Sequence, residues 1–299
     1  MKIAMVGAGA WGTAMGASLM RNEHEVTFLR RGDDDWPEHL DMVFVAIPCQ
    51  VLRERLSFLR FPHVPVVGLV KGIEVATGKR VSQVMREVWP EIKAEQVGVL
   101  SGPTLAYELE KGLPAAAVAA AESEVLAQCI QECVHQKLLR VYSSTDLIGV
   151  ELAGALKNIY AIAGGICQGL RIGENGTAAL MTRSLAEMVR MAMAMGGQMQ
   201  TLFGLSGVGD LMLTSYSGRS RNHQIGVLLG EGLSIEKALE QVKGVAEGVP
   251  TIQAVHKICH ITKIKSPILD ELYSVIYERK PVLEAFNDLT LRQAAVENL

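Results

Sequence analysis

"KIAMVGAGAWGTAMGASLMRNEHEVTFL", residues 2–29, sets a short apolar run against spaced glycines and then repeats the apolar run. Lys2–Val6 reads as a strand. Ala10–Arg21 lacks proline and is dominated by Ala, Met and Leu, so it reads as a helix. Glu25–Leu29 supplies the next strand. Gly7, Gly9 and Gly12 fall between the first strand and the helix in the G-x-G-x-x-G spacing, which is a weak signal alone and a mechanical one in this setting. Gly7 permits the tight turn, Gly9 lets the backbone approach a pyrophosphate, and Gly12 permits close helix–strand packing. The helix start then presents free N–H groups and a favourable dipole to phosphates. The stretch predicts a βαβ dinucleotide-binding unit. Its rival is a secretory leader, which Lys2 followed by an apolar run imitates. Gly7, Gly9, Gly12 and Gly16 would make a poor leader helix, and the run passes into EVTFLR with no polar linker.

Outward from this unit, MVFVAI (42–47), VPVVGLV (64–70), QVGVL (96–100), PAAAVAAA (114–121) and LRVYS (139–143) read as strands. Val51–Leu59, Lys79–Val88 and Ser123–Val134 read as helices between them. Continuous apolar strands alternating with helices mean a largely parallel sheet covered on both faces. From Asp146 the strands stop, and helical patterns run over 146–169, 175–196, 219–230, 234–241, 248–263 and 267–279. Ser266-Pro267 reads as an N-cap followed by proline at the first helical position. The expectation is an α/β fold: a Rossmann-type domain over 1–145, then an all-α domain over 146–299. No repeat or low-complexity segment stands out.

With 49% hydrophobic and 20% charged residues, the 299-residue chain fits a soluble globular protein. A formal net charge of −3 speaks against a general binder of nucleic acid or membrane surfaces. No later segment reaches the ~18 uninterrupted apolar residues of an integral membrane span. The five cysteines (Cys49, Cys129, Cys133, Cys167, Cys259) show no paired framework, which suits a reducing cytoplasm. A homodimer is left open.

Several stretches are odd for a purely structural chain. The second strand ends in Leu29-Arg30-Arg31-Gly32, where an NAD site usually carries a carboxylate for the ribose hydroxyl; arginines suit the 2′-phosphate of NADP instead. A solvated basic edge is the plainer reading, and Asp33, Asp34 and Asp35 blur the sign. VKGIE puts Lys71-Gly72 just past a strand's C-terminal end, where parallel sheets bind ligands, and SGPTLAYE does the same with Gly102, Pro103 and Thr104. ELAGALKNIYAIAGGI embeds Lys157 and Asn158 in a helix apolar on nearly every side. A lone lysine there usually snorkels outward along its methylene stem. GLSGVGDL offers Asp210 among glycines, SGRSRNHQIG offers Ser220, Arg221 and Asn222 at a helix start, and VAEGVPT offers Glu247. Each alone reads as a loop or a solvated face. HKICH, with His256, Cys259 and His260, invites a zinc reading, but no further ligand cluster accompanies it, so no metal is expected. The methionines between Met188 and Met199 read as core or a helix interface.

Taken together, GAGAWGTA, VKGIE, SGPT, ELAGALKNIYAIAGGI, GENGTAAL, GLSGVGDL, SRN and AEG resemble the NAD(P)-dependent glycerol-3-phosphate dehydrogenases of the bacterial type, over nearly the whole chain. ALKN followed by GVGDL and SRN is far more specific than the glycine fingerprint. The resemblance implies that Lys157 is the catalytic lysine and that Asp210 orients it or the substrate. It places Lys71, Gly102, Thr104, Asp210, Ser220, Arg221 and Asn222 on substrate-holding positions. Gly7, Gly9, Trp11, Gly12, Arg31, Ala106, Val245 and Glu247 fall on the cofactor side, with Lys71 and Arg221 near both ligands. The cofactor implied is NADP, with NAD the second choice. Two departures stand out. The stretch between Arg31 and Met42 is much shorter than usual for the family, which abbreviates the adenine side. Thr104 replaces the usual serine and keeps its hydroxyl.

The reaction implied is reduction of dihydroxyacetone phosphate, a small phosphorylated triose, to sn-glycerol 3-phosphate or the reverse, feeding glycerophospholipid synthesis. Charge grows on the ketone oxygen as hydride arrives, so that oxygen needs a proton donor. Burial should lower the pKa of Lys157 into a usable range, which would explain a lysine among apolar residues. Arg221 offers a planar fork to the phosphate and Asn222 a neutral donor. Two rivals stand beside this reading. A β-hydroxyacid dehydrogenase of the hydroxyisobutyrate type acts on a carboxylate and would not be expected to carry SRN after GVGDL. A non-catalytic NADP(H) sensor has no use for a buried lysine.

Overall fold

In a computed structural model, residues 1–292 are described; the last seven positions of the expected helical region lie outside them. Seven strands form one sheet: β1 (Lys2–Val6), β2 (Glu25–Leu29), β3 (Met42–Val45), β4 (Val66–Gly68), β5 (Val97–Ser101), β6 (Ala115–Ala121) and β7 (Leu139–Ser144). Their spatial order is β2-β1-β3-β4-β5-β6-β7. Strands β1 to β5 pair in parallel, β6 runs antiparallel to β5, and β7 parallel to β6. Five helices accompany the sheet: α1 (Ala10–Arg21), α2 (Leu52–Ser57), α3 (Val81–Val88), α4 (Ala106–Glu110) and α5 (Glu124–Val134).

The continuous apolar strands follow from burial on two faces. Alternate residues of a strand point to opposite sides. Ile3, Met5, Met42 and Phe44 pack with Met15 and Leu19 of α1 and Ile130 of α5. Ala4, Val6, Val43 and Val45 pack with Leu52 and Leu56 of α2 and Val84 and Met85 of α3. The chain moves from β1 out to β2 and then back past β1 to β3. This reversal opens a crevice at the C-terminal ends of β1 and β3, where open α/β sheets take ligands.

Beyond β7 the chain is helical: α6 (Leu147–Gly169), α7 (Glu174–Ala194), α8 (Met199–Leu202), α9 (Asp210–Tyr216), α10 (Arg221–Gly230), α11 (Ile235–Gln241), α12 (Gly248–Thr262), α13 (Pro267–Tyr277) and α14 (Val282–Thr290). Helix α6 is the axis. It is buried from Gly149 to Cys167 among α7, α9, α10 and α12, and its small residues let neighbours come close. By length and composition α6 could cross a membrane, but 94% of its most apolar window is buried in the protein, so here it is a core helix.

Several elements differ from the expected extents. β3 and β4 are shorter than 42–47 and 64–70 because regular pairing ends early: Ala46 and Leu69 each donate one last bond, to the carbonyls of Val6 (2.8 Å) and Val45 (2.9 Å). α3 starts at Val81 rather than Lys79, since Arg80 is its cap. α4, α8, α9 and α14 were not foreseen; the first three are short and the last has only Ala285 fully buried. Pro267 is at the first turn of α13 as expected, but Ser266 does not cap it. The buried carboxylate of Glu187, from α7, accepts the N–H groups of Ile268 (3.1 Å) and Leu269 (2.9 Å) instead. Its two oxygens each take one orphan donor where one hydroxyl would take one.

Candidate active site

The glycine fingerprint meets the crevice as its spacing implies. Gly7 has φ +106°, and a Cβ there would stand 2.6 Å from the carbonyl oxygen of Ala46. A Cβ on Gly12 would stand 2.2 Å from the carbonyl oxygen of Gly7. Gly9, by contrast, faces open space. It precedes α1, whose first turn has neither a capping side chain nor a carboxylate. That leaves free N–H groups aimed at the space a diphosphate needs. Trp11 Nε1 is buried without a partner at the same turn, as is Glu247 Oε2 from across the crevice. Orphaned buried groups of this kind fit an absent polar ligand, so the residues present suit a dinucleotide. Arg31 is exposed just beyond β2.

Deeper in the crevice three charged side chains meet. Lys157, 6% exposed on α6, lies 3.0 Å from Asp210 Oδ1. Lys71, just beyond β4, reaches Asp210 Oδ2 at 2.6 Å and donates to the carbonyl of Gly102 at 3.0 Å. Thr104 Oγ1 donates to that same carbonyl at 3.2 Å. Thr214, one turn along α9 from Asp210, accepts from Lys157 Nζ at 2.6 Å and donates to Asp210 Oδ1 at 3.0 Å. Burial pushes the Lys157 pKa down to about 8; Asp210 opposes the fall and Lys71 adds to it. Burial pushes the Asp210 carboxyl up, but the two ammonium groups outweigh it and hold it below the ordinary range. The cluster therefore holds an ionised carboxylate and a lysine that can give or take a proton near neutrality.

The setting of Asp210 explains its glycine-rich sequence. Leu205–Gly209 forms a π-helical turn, with Gly209 N–H bonding the carbonyl of Gly204 at 3.2 Å, and leads directly into α9. Such turns reposition a side chain inside a helical run and recur at functional sites. Here the turn delivers Asp210 to α6.

Behind the cluster runs a ladder of amides. Asn158 Nδ2 donates to the carbonyls of Lys71 and Gly154, both at 3.3 Å. Asn222 Nδ2 donates to Asn158 Oδ1 and accepts the N–H of Gly248 on Oδ1, both at 2.9 Å. Asn222 is thus largely engaged by protein, with one amide N–H left over. Ser220 caps α10 by accepting the N–H of His223 at 3.2 Å. Arg221 is exposed and donates to the carbonyl of Val245 at 3.0 Å. Glu247 Oε1 accepts the N–H of Cys49 at 2.9 Å, tying the helical region to the end of β3. Burial raises the Glu247 pKa against that bond and against Arg221. Ala106 opens α4 beside Thr104.

Lys71, Gly102, Thr104, Lys157 and Asp210 are joined by direct hydrogen bonds or through one shared partner, and Ser220, Arg221 and Asn222 are consecutive at the start of α10. Gly7, Gly9, Trp11, Gly12 and Arg31 belong to the sheet's far end of the crevice. Thr214 and Asn158 were not singled out for this site. The i, i+4 spacing of Asp210 and Thr214 on one helix face was the available signal for the first; Asn158 sits next to Lys157, so only packing turns it toward Lys71. HKICH has an ordinary account: His256 stacks on Tyr273 with centroids 3.8 Å apart, and Cys259 is core. Among the described residues no group of three or more His, Cys, Asp or Glu side chains could hold a metal ion.

The N-terminal and C-terminal models of the NAD-dependent glycerol-3-phosphate dehydrogenases match residues 34–127 and 146–287. Glycerol-3-phosphate dehydrogenase (NAD(P)+) of Chlorobium phaeobacteroides is 40% identical, with all of both chains covered. The enzyme of that name from Pelodictyon phaeoclathratiforme is 37% identical over 99% of each. A crystal structure of glycerol-3-phosphate dehydrogenase from Coxiella burnetii superposes with a TM-score of 0.89 at 30% identity, covering 97% of this chain and 99% of that one. The Chlorobium alignment spans 332 positions against the 299 of this chain, so the relative carries segments absent here.

Proposed function

The chain belongs to the NAD-dependent glycerol-3-phosphate dehydrogenase family, and from that premise we propose how its residues divide the work. It reduces dihydroxyacetone phosphate to sn-glycerol 3-phosphate with NADPH or NADH, reversibly. The hydroxyacid and sensor readings are set aside. In our reading residues 1–145 hold the dinucleotide and 146–299 the substrate. The observation that carries it is the buried Lys157 beside Asp210, Thr214 and Lys71.

Bound NAD(P)H supplies hydride to the ketone carbon. Lys157 gives its proton to the oxygen that gathers the electron pair, and in the reverse direction the neutral amine takes the proton from the alcohol. Asp210 holds both ammonium groups in place, and Lys71 orients the substrate. The start of α10 holds the phosphate: Arg221 as a two-pronged donor, with Ser220 and the spare Asn222 N–H. Gly102 and Thr104 shape the wall opposite. On the cofactor side, Gly7, Gly9 and Gly12 admit the diphosphate, Trp11 Nε1 donates to the cofactor, Glu247 Oε2 accepts from a hydroxyl or amide group of it, and Ala106 and Val245 line its path. Arg31 reads the 2′-phosphate, making NADPH the preferred partner. A cytoplasmic location completes the reading, supported by cysteines without a paired framework.

Arg221→Lys tests the substrate assignment. It keeps the charge but loses the fork, and one charge-assisted hydrogen bond is worth roughly 1.5–3 kcal/mol. kcat/KM for dihydroxyacetone phosphate should fall roughly ten- to a hundredfold, with the slow reduction of phosphate-free dihydroxyacetone almost unchanged. Equal losses on both would assign Arg221 to the fold or the cofactor. Arg31→Asp should move the NADPH/NADH ratio of kcat/KM toward NADH, by removing a partner and adding repulsion. An unchanged ratio would remove Arg31 from the cofactor site.

A further inference from the structure

The three aspartates after Arg30-Arg31 leave the sign of this cofactor end ambiguous in the sequence, and the structure accounts for two of them. Asp33 turns back: its Oδ2 accepts the N–H of Arg30 at 2.7 Å and its own N–H bonds the Arg30 carbonyl at 3.2 Å, closing a tight turn through Gly32 at φ +96°. Asp34 faces Arg55 of α2, whose Nη1 lies 3.6 Å from Asp34 Oδ1. The other prong of Arg55, Nη2, donates to the carbonyls of Arg30 (3.2 Å) and Asp33. The Arg55 side chain is only 14% exposed, whereas Arg30 and Arg31 are open to solvent. Further along, the connection is pinned by Trp36 Nε1 on the carbonyl of Arg60 (2.7 Å) and by Asp41 Oδ2 on the N–H of Lys2 (2.7 Å).

We propose that Arg55 is a positioning residue for NADP specificity: it fixes the turn 30–34 and cancels Asp34, so that Arg30 and Arg31 can hold an adenosine 2′-phosphate. The inference rests on the reading of this enzyme as NADPH-preferring. The C-terminal end of β2 is where a dinucleotide's ribose is discriminated, and an arginine on a short turn reads a phosphate well only if the turn is held beforehand. Asp33 is committed to a backbone N–H and Asp34 is paired with Arg55, so Arg55 offsets one of the three carboxylate charges beside the guanidinium groups of Arg30 and Arg31. The brace comes from a helix that contributes nothing to the glycine fingerprint.

Calorimetric titration of the full chain with adenosine 2′,5′-bisphosphate and with 5′-AMP tests this. Wild type should bind the bisphosphate at least about tenfold more tightly, the worth of one charge-assisted contact. Arg55→Met, which keeps the stem, should bring that ratio within about threefold of unity by weakening the bisphosphate, with 5′-AMP moving less than about twofold. Arg55→Lys keeps a charge for Asp34 but lacks the planar fork whose two prongs reach Asp34 and the two carbonyls, so its ratio should fall between the two; it also serves if the methionine variant does not fold. Adding Asp34→Asn to Arg55→Met should restore part of the ratio, because the uncompensated carboxylate is gone. A wild-type ratio kept in both Arg55 variants, or equal losses on both ligands, overturns the proposal. A wild type that does not discriminate at all overturns the NADPH reading itself, and this inference with it.

Discussion

Lys157→Met lowers kcat for dihydroxyacetone phosphate reduction by about 10²–10⁴-fold, the usual cost of losing a general acid, and leaves a folded protein that still binds NADPH. Methionine fills most of the same volume, and Asp210 retains Lys71 at 2.6 Å and the Thr214 hydroxyl at 3.0 Å. Stability should not fall on electrostatic grounds. A lysine whose pKa drops from 10.5 to about 8 on folding is a burden below pH 8, relieved as pH rises from there toward 10.5. Removing it removes that burden. The same value fixes the pH dependence of the wild type: reduction needs the ammonium and should decline above about pH 8, whereas oxidation of glycerol 3-phosphate needs the amine and should rise through it. Steady-state rates in both directions, with a thermal melt of the variant, decide the matter. A variant keeping more than about a third of wild-type activity would mean that the lysine only packs there.

The glycine turn, the sheet and the long apolar helix were legible because each rests on local pattern. Lys2–Val6 and Glu25–Leu29 read as strands, and were found as such, because their side chains meet neighbours on known faces. Lys157 could be singled out because a charge in an apolar helix breaks its own context. What stayed hidden depends on distance in the chain. Helix α9 is too short to show a period, and its start is set by the π turn before it. Glu187 replaces Ser266 as the cap of α13 from 81 residues away, which no window along the sequence contains. Arg55 braces the β2–β3 connection from the next helix, and Asn158 turns toward Lys71 only because α6 packs beside the segment that follows β4. Residues whose chemistry is chosen by their own segment can be read; those recruited by another segment must be seen.

Asp210→Asn should lower kcat for reduction at pH 8 by about 10²-fold or more, and for a different reason from the lysine variant. The carboxylate is 1% exposed and receives two ammonium groups, Lys157 at 3.0 Å and Lys71 at 2.6 Å. Asparagine matches its shape but not its charge, and leaves both cations without compensation. Breaking a buried charge pair from one side costs about 3–5 kcal/mol unless the stranded group neutralises itself. Lys157 can do so by shedding its proton, because Asp210 is the main influence holding its pKa up to about 8. The alkaline limb of the reduction profile therefore moves to lower pH, and each unit of movement costs about tenfold in rate above it. Lowering the pH should recover reduction in Asp210→Asn but not in Lys157→Met, which has no proton to regain. Stability carries a second signature. Asp210 has a pKa held below that of an unfolded carboxyl, so its contribution is present above the unfolded pKa and disappears as pH falls through the folded one. Wild type should then exceed Asp210→Asn in denaturant melts at neutral pH, with the gap closing in acid. An unshifted rate profile in Asp210→Asn would mean that the residue fills space between the lysines without setting the proton affinity of either.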